Sequence, residues 1–394
     1  MTSRRAFLKG LLGAAPIGAA AENAASSPAA VVAAERDYFQ ELGVETFINA
    51  LAPYSSLGGN QMWPEVIEAM DYAMHRRARM KDLHDAVGKR IASLIGCEAA
   101  MVSAGATSAI TLGTAACLTG LDEERIRLLP DVTGMKSEVI MPKGHRYSYN
   151  HAVRNCGVRL LEVETAEELE RRIDEKTAML YFVYIRESVG KIDAARFAAI
   201  GRRHGVPTFI DTATRVPPAT NLAKLSGLGF DLNCFSGGKG LKGPYSAGLL
   251  LGRKDLIAAA RRNAAPHDDT IGRGMKVSKE ELLGMMVAVE VSLGHDLEAE
   301  NREKRTWLDQ FEEELRTIPG TSSERVIDRL PAMLIRWDER VEVTPEEAQK
   351  RFREGTPSIE IRLVDGVFSI NTWCLDKEHV DVVRRRLGEV LRSA

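Results

Sequence analysis

The stretch FSGGKGLKGP, residues 235–244, follows a short apolar run and places one lysine among glycines. Glycines flank Lys239 on both sides, and Ser236 stands three residues before it. Glycines adopt turn conformations that are closed to other residues, and they leave no side chain to block access to the lysine. A lysine in such a pocket loses part of its hydration, which disfavours the ammonium and makes the amine nucleophilic. The pattern predicts a lysine that meets a bound molecule.

A lysine beside glycines is also typical of nucleotide-binding loops, where it grips a phosphate. Those loops follow the pattern G-x-x-x-x-G-K-[ST]. In this sequence Gly240 follows Lys239 where that pattern requires a serine or threonine. The nucleotide loop is therefore excluded, and imine formation with an aldehyde is favoured.

Strand and helix patterns alternate on both sides of this stretch. The strand patterns are short apolar runs: AAMVS, EVIMP, VRLLEV, TAMLYFVYI, VPTFID, DLNCF and AGLLLG. Apolar strands that do not alternate in polarity are typical of a parallel sheet covered on both faces. The sequence therefore predicts an α/β fold, a mostly parallel sheet flanked by helices, in a large domain over residues 61–270. Residues 32–60 are expected to form an N-terminal arm.

The pattern changes after residue 270. A long helical segment over residues 279–315, with a break, leads to alternating strands and a final helix. The dipeptide Asp365-Gly366 inside the strand region is a tight-hairpin signal. These features predict a smaller C-terminal α+β domain over residues 271–394.

Residues 1–31 have the composition of an export signal. Paired arginines followed by Phe-Leu-Lys, an apolar run too short to span a bilayer and Ala-x-Ala-like sites resemble a twin-arginine signal. The alternative is an unstructured N-terminus with a chance Arg-Arg pair. The signal predicts passage through the twin-arginine export machinery to the periplasm or outside, and no membrane span in the mature protein. Proteins on this route are exported already folded, often with a cofactor.

Charge and cysteine usage exclude several classes. The 394 residues carry a net charge of −2, which gives no basic field for nucleic acid. Five scattered cysteines with no CxxC pair argue against a zinc site and a disulfide framework, so buried thiols and no metal are expected.

Small residues follow the AAMVS run where a helix pattern begins. These residues are Gly105, Ala106, Thr107 and Ser108. The first amides of a helix have no acceptor within it and suit a phosphate, to which the two hydroxyls add donors. The alternative is a turn that lets the helix pack closely on the sheet.

Asp211 follows the apolar run VPTFI and is expected at the end of a buried strand. A buried carboxylate requires a partner. A pyridinium N–H is one candidate, and Arg215 or a helix N-terminus are the alternatives. In an open parallel sheet these strand ends share one edge.

A phosphate cup, a strand-end carboxylate and an accessible lysine are what pyridoxal 5'-phosphate requires. The carboxylate keeps the ring nitrogen protonated, and the lysine binds the aldehyde. Ser236 adds a hydroxyl able to reach the same phosphate. Together, the three features predict that coenzyme.

Six blocks of sequence carry a resemblance to a known family. The chain resembles the fold-type-I pyridoxal-phosphate enzymes, in the branch of bacterial selenocysteine synthase and D-glucosaminate-6-phosphate ammonia lyase, which is similar to class V aminotransferases. The blocks are FINALAPYSSLGGNQMWPEVIEAM, GCEAAMVSAGATSAITLGTAACL, KGHRYSYNHAVRNCGVRLLEV, VPTFIDTATRVPP, FSGGKGLKGPYSAGLLLGRKDLI and IGRGMKVSKEELLGMMVAVE.

The resemblance assigns Lys239 to the coenzyme aldehyde, Asp211 to the ring nitrogen and residues 105–108 to the phosphate. It implies that a further side chain stacks on the ring, with His145 as the candidate and Tyr147 as its competitor. For His145 a purely structural role is the alternative.

The same resemblance implies a homodimer or a multiple of dimers with shared active sites. Arg273 and Lys276 would then bind an anion in the neighbouring subunit, or else form a solvated basic turn. Tyr54 and the pair Gly58-Gly59 would line the substrate entrance.

The reaction expected from these residues is that of a lyase on a small-molecule amino substrate. Lys239 would abstract the α-proton of an amino acid or amino sugar acid, and β-elimination would follow. A transferase of the selenocysteine-synthase or aminotransferase kind, a racemase and a non-catalytic binding protein are the alternatives. An exported, slightly acidic protein is not expected to meet tRNA.

Overall fold

The computed structural model describes residues 36–327 and 329–392. The predicted signal over residues 1–31 lies outside the described residues. Contacts divide the chain into two units, Met1–Thr46 and Phe47–Ala394. The described part of the first unit holds one short helix, α1 (Tyr38–Glu41), whose first turn is capped by the Asp37 carboxylate.

The second unit contains strands and helices in alternation. The strands are β1 (Phe47–Asn49), β2 (Ala99–Ser103), β3 (Glu138–Pro142), β4 (Arg159–Val163), β5 (Thr177–Val183), β6 (Thr208–Asp211), β7 (Leu232–Ser236), β8 (Gly248–Gly252), β9 (Thr321–Ile327), β10 (Pro331–Trp337), β11 (Ser358–Glu360), β12 (Arg362–Val364) and β13 (Val367–Asn371). The helices are α2 (Pro64–Met74), α3 (Met80–Ile95), α4 (Gly105–Thr119), α5 (Glu123–Leu128), α6 (His151–Arg154), α7 (Ala166–Arg172), α8 (Ala194–His204), α9 (Asn221–Ser226), α10 (Lys254–Arg262), α11 (Lys279–Gly294), α12 (Leu297–Arg316), α13 (Pro345–Arg353) and α14 (Lys377–Arg392).

The main sheet has seven strands in the order β2-β8-β7-β6-β5-β3-β4. β8 runs antiparallel to both of its neighbours, and the remaining pairs are parallel. Every residue of β3, β5 and β6 is buried, as expected for strands covered on both faces. The predicted fold class, a mostly parallel sheet flanked by helices, is confirmed.

Helices cover both faces of this sheet. On one face α4 and α10 pack against side chains such as Met179 and Phe209. On the other face α7 and α8 cover the β3–β5–β6 region, and α3 and α11 cover the β7–β8 region. The core therefore consists of two apolar layers, one on each side of the strands.

Residues 64–95 contain two helices, since α2 ends at Met74 and α3 begins at Met80. The expected break in the 279–315 segment is confirmed: α11 ends at Gly294, and the Asp296 carboxylate accepts the Ala299 N–H to begin α12.

The C-terminal part contains an antiparallel sheet in the order β12-β13-β10-β9. Asp365 and Gly366 both have positive φ, 52° and 75°, in the β12–β13 turn, which confirms the hairpin signal. The strands β1 and β9 have no counterpart in the sequence predictions. Because residues 47–394 form one unit, the boundary at residue 270 stays a prediction. No helix within residues 36–327 and 329–392 is long and apolar enough to cross a bilayer.

The contact between α4 and the sheet yields a stability prediction. A methyl group at Gly113 would meet the Phe209 ring at 2.5 Å in the core. We expect Gly113→Ala to lower the free energy of unfolding by about 1–3 kcal/mol through overpacking. Gly294→Ala is the control, because no heavy atom lies within 4 Å of the added methyl group. Urea unfolding that shows equal stability for both variants would contradict this packing.

Candidate active site

Three chain segments meet at one edge of the main sheet. The strands β2, β6 and β7 run in the same direction and end at Ser103, Asp211 and Ser236. Because the carboxyl ends of parallel strands lie at the same edge, the segments that follow them lie at that edge as well. These segments are the first turn of α4, residues 212–215 and the turn that carries Lys239.

The Asp211 carboxylate is buried, with 5 % exposure, and is surrounded by donors. The hydroxyls of Tyr147 and Tyr181 both donate to its Oδ2 atom, Tyr181 from 3.2 Å. Its Oδ1 atom accepts the Ala213 N–H at 3.0 Å and contacts the Cys234 thiol at 3.6 Å. A carboxylate has about four lone-pair sites, and the thiol is a weak donor. Asp211 can therefore accept one further strong hydrogen bond.

Neither alternative partner of Asp211, the Arg215 side chain or a helix N-terminus, is found in the structure. The Arg215 side chain bonds to the Tyr184 carbonyl instead, at 3.4 Å, and stacks on the Tyr184 ring. The next helix begins only at Asn221, so Asp211 caps no helix. The Ala213 contact is a local turn bond.

The two phenols act as fixed donors. Burial, followed by the charge of Asp211, raises the pKa of Tyr147 and that of Tyr181. Both hydroxyls therefore keep their protons and present them to the carboxylate. Burial also raises the pKa of the Cys234 thiol, with the Asp211 charge acting in the same direction.

The Lys239 amine lies within range of the Asp211 charge. Burial lowers the pKa of Lys239, while the charge of Asp211 opposes that shift. Burial outweighs the attraction, so more of the amine is neutral than in a solvated lysine. A neutral, partly buried amine is the form that attacks an aldehyde and that accepts a proton.

The glycines of the Lys239 turn are required for close approach, not for unusual φ angles. None of Gly237, Gly238 and Gly240 has a positive φ. A methyl group at Gly237 would meet the Ala247 carbonyl oxygen at 2.7 Å, and one at Gly238 would meet the Tyr245 Cα at 2.6 Å. The prediction that these glycines supply turn conformations is therefore wrong. They allow backbone segments to pack directly on the turn.

The segment before α2 holds the Lys239 turn in place. The Asn60 N–H donates to the Gly238 carbonyl at 2.9 Å, and its side-chain amide donates to the Lys239 carbonyl at 3.3 Å. Gly58 and Gly59 both have φ of 79° in the bend that brings Asn60 there. Tyr54 is half exposed at the start of this bend, and its place at the substrate entrance stays a prediction.

The first turn of α4, the predicted phosphate site, has no side-chain cap. Gly105 has φ of 77°, Ala104 provides no side-chain cap, and the first turn contains no acidic residue. A methyl group at Gly248 would meet the Ala106 nitrogen at 2.6 Å, so β8 lies directly beside this turn. The amides of Gly105, Ala106 and Thr107 are thus available to a phosphate, with Ser108 completing the turn.

Ser236, the last residue of β7, pairs in register with Gly248. It is half buried, and its hydroxyl has no hydrogen-bond partner within the described part of the chain. Since Gly248 touches the first turn of α4, Ser236 lies one strand away from that turn. Its predicted contact with the phosphate is compatible with this position and stays a prediction.

The structure distinguishes the two candidates for the ring-stacking residue. His145 is 0 % exposed, its Nδ1 accepts the Val183 N–H at 3.2 Å, and its edge packs on Phe182. Burial lowers its pKa to about 4. The burial of His145 favours its structural alternative, and its stacking on the coenzyme ring stays a prediction. Tyr147 is partly buried, and its hydroxyl donates to Asp211.

Arg273 and Lys276 lie outside the cluster around Asp211. Arg273 is part of the loop between α10 and α11, and its Nε lies 3.0 Å from the exposed Asp268 carboxylate. Their predicted role in a neighbouring subunit concerns a second copy of the chain and stays a prediction.

Sequence reasoning missed Tyr181, Cys234 and Asn60. Tyr181 stands in the middle of the apolar run TAMLYFVYI, and a buried tyrosine hydroxyl usually has a partner. That signal could have identified Tyr181, but which carboxylate it meets depends on strand pairing. Asn60 gives no such signal, because its hydrogen-bond partner Lys239 lies 179 positions away in the sequence.

The hydrogen bond from Tyr181 to Asp211 yields a prediction. We expect Tyr181→Phe to lower the free energy of unfolding by about 1–3 kcal/mol, because a buried carboxylate loses one donor. Tyr149→Phe is the control, since its side chain is exposed. In an Asp211→Asn background the loss should shrink, because a neutral amide is a weaker acceptor. Urea unfolding measures all four variants, and an unchanged loss in that background would refute the interaction.

Known proteins resemble the chain over this site and beyond it. The aminotransferase class-V family model matches residues 67–265, about half of the chain. A 5'-C-glycyluridine monooxygenase-decarboxylase of a Streptomyces species is 32% identical over 376 residues, 90% of this chain and 92% of the relative. D-Glucosaminate-6-phosphate ammonia lyase of Salmonella typhimurium is 28% identical over 377 residues, 90% of this chain and 98% of the relative.

A solved structure of D-glucosaminate-6-phosphate ammonia-lyase superposes with a TM-score of 0.80 and 25% identity. It covers 91% of this chain and 98% of the other. The matched region 67–265 includes residues 105–108, Asp211 and Lys239. The resemblance seen in the sequence is confirmed, and the chain belongs to the aminotransferase class-V family of pyridoxal-phosphate enzymes.

Proposed function

We propose that the protein is a lyase that removes the α-proton of a small amino acid or amino sugar acid and eliminates a group from the β-carbon. The observation that carries the proposal is the partly buried Lys239 amine at the sheet edge that holds Asp211. Burial lowers the pKa of Lys239, although the Asp211 charge opposes this shift. The similarity to an ammonia lyase over 98% of that relative supports the same reaction class.

The residues at the sheet edge fit the coenzyme of the family. The amides of residues 105–107 would bind its phosphate, Lys239 its aldehyde and Asp211 its ring nitrogen. When bound, pyridoxal phosphate supplies a cationic ring that withdraws electrons from the α-carbon of the substrate. The remaining acceptor capacity of Asp211 would hold a proton on the ring nitrogen, and Tyr147 and Tyr181 donate to the carboxylate and keep it in position.

Lys239 acts as the base in this proposal. In its free form, the Lys239 Nζ would be able to take the α-proton. A neutral amine is needed for that step, and burial favours the neutral form. The same Nζ could then return the proton to the leaving group. When the leaving group is hydroxide, one water is released and one water is consumed in hydrolysis of the remaining enamine, so the substrate is converted to 2-oxo acid and ammonia.

A second candidate is decarboxylation at the α-carbon. It is favoured by the relative at 32% identity, whose name records a monooxygenase-decarboxylase. Asp211 and the phosphate-binding turn would serve that reaction equally. The role of Lys239 would differ, because the α-carbon would lose a carboxyl group and no base would be needed to remove its proton.

Product analysis tests the choice. We expect the coenzyme-loaded protein to release ammonia and 2-oxo acid in equal amounts from an amino substrate with a β-leaving group. Lys239→Ala should slow this release by about 10²–10⁴-fold and should lose the coenzyme that borohydride fixes to the chain. Lys224→Ala, on an exposed face of α9, is the control.

The outcomes separate the two candidates. Carbon dioxide with retention of the amine would support decarboxylation and exclude elimination. A Lys239→Ala protein that still holds reducible, covalently attached coenzyme would contradict the role of Lys239. Formation of 2-oxo acid without ammonia would indicate transamination.

We also propose that the enzyme is exported by the twin-arginine route, on the strength of Arg4-Arg5 and the apolar run that follows. We expect fractionation of cells to find the enzyme outside the cytoplasm. Replacement of both arginines by lysine should retain it inside. Equal distribution of the two proteins would refute the proposal.

A further inference from the structure

A second group of charged side chains lies in a cavity beside the Lys239 turn. The cavity has a volume of about 140 Å³, and we call it the Lys242 cavity. At roughly 30 Å³ per water molecule it has room for one small anionic group. Among the side chains that line it are Trp63, Trp373, Pro217, Lys242, His295 and Glu300.

Two ammonium groups lie close to the Glu300 carboxylate, which lines the Lys242 cavity. Lys304 is buried, and its Nζ lies 2.9 Å from the Glu300 Oε1. The Lys242 Nζ is 3.4 Å from the same oxygen, and the His295 Nε2 is 2.8 Å from the Glu300 Oε2. Lys304 already compensates Glu300, so the charge of Lys242 is in excess even with a neutral His295.

The Glu300 carboxylate remains ionised in this cluster. Burial acts to raise its pKa, but the ammonium groups of Lys304 and Lys242 outweigh burial and lower the pKa to about 2. One carboxylate thus faces two ammonium groups in a partly dehydrated space. An anion that enters the cavity would compensate the excess positive charge.

The backbone at Lys242 is unusual for a lysine. Its φ is 46°, in the left-handed region that favours glycine. Two backbone hydrogen bonds hold it there, from the Lys242 N–H to the Lys239 carbonyl at 3.1 Å and from the Trp63 N–H to the Lys242 carbonyl at 3.0 Å. A lysine in a position where glycine is easier indicates that the side chain has a use. Its Nζ lies 4.2 Å from the centre of the Trp63 ring.

The position of the cavity connects it with the coenzyme site. Gly240, directly after Lys239, forms part of its wall. Residues 216–220, which follow the turn after Asp211, form another part. The two chain segments that carry the coenzyme-binding side chains therefore continue directly into the cavity wall.

We propose that the Lys242 cavity is an anion-binding subsite, which takes the carboxylate or phosphate at the far end of the amino substrate. The Lys242 Nζ would donate to the anion, and the rings of Trp63 and Trp373 with Pro217 would contact the carbon atoms next to it. The assignment of the anion to the substrate rests on the proposed function. The affinity of the cavity for an anion is independent of that function.

The first experiment measures binding of inorganic phosphate to the coenzyme-loaded full chain. The coenzyme keeps its own phosphate at α4, so added phosphate reports on the cavity through the fluorescence of the tryptophans. We expect Lys242→Met to weaken binding by about tenfold or more, the loss of one charge-assisted hydrogen bond. Lys242→Arg should retain binding. Lys224→Met, which removes an exposed lysine of α9, should match the unaltered protein.

Two results would overturn the subsite: equal phosphate affinity in Lys242→Met and the unaltered protein, or the same loss in Lys224→Met. If Lys242→Met does not fold, Ala219→Phe fills the cavity from its wall and is expected to abolish binding. Retained binding in Ala219→Phe overturns the proposal as well.

A second experiment identifies the source of the anion. Amino substrates with and without a second anionic group are compared in KM. If Lys242→Met removes a preference for the anionic compound while kcat is kept, the anion belongs to the substrate. A preserved preference together with lost phosphate binding would assign the subsite to a free anion and overturn the substrate assignment. Because phosphate binding needs no turnover, failure of the lyase proposal leaves the first experiment decisive.

Discussion

The buried carboxylate of Asp211 is the constraint on which the site depends. A charge at the end of β6, 5 % exposed, is tolerated only with donors around it. Two phenols, one backbone amide and one thiol supply them, from β5, β7, the turn after β6 and the segment before α6. Each of these donors connects a different chain segment to the Asp211 carboxylate. The arrangement that stabilises the carboxylate also leaves it one acceptor site, which in the proposed function receives the ring nitrogen.

The Lys239 turn is built by close backbone contacts. Glycines at positions 237, 238 and 240 let the chain segments around Ala247, Tyr245 and Val216 touch the turn directly. Asn60 and Trp63 fasten its carbonyl groups from outside. The lysine amine is thereby held partly dehydrated beside Asp211, which makes it neutral enough to act as nucleophile and base.

Two buried groups of charges flank this turn, and they differ in balance. At Asp211 a single negative charge is surrounded by neutral donors, which suits a cationic ring. Beside the Lys242 cavity, the ammonium groups of Lys242 and Lys304 share the one carboxylate of Glu300, and in our proposal this excess of positive charge binds an anion. A substrate that spans both would place an amine near Lys239 and an anionic group near Lys242. Under the two proposals, the substrate would be a compound with opposite charges at its two ends.

The sequence alone determined the fold class, the order of strand-end residues and the coenzyme, because apolar runs, small-residue turns and a strand-end carboxylate are local signals. It also predicted Lys239, Asp211 and residues 105–108 as the coenzyme-binding residues. Only the tertiary structure decided that His145 is enclosed by Phe182 and Val183, that Tyr181 donates to Asp211, and that Lys242 meets Glu300. Such contacts join residues 30 to 58 positions apart. Strand order and helix packing bring them together, and no local pattern encodes that geometry.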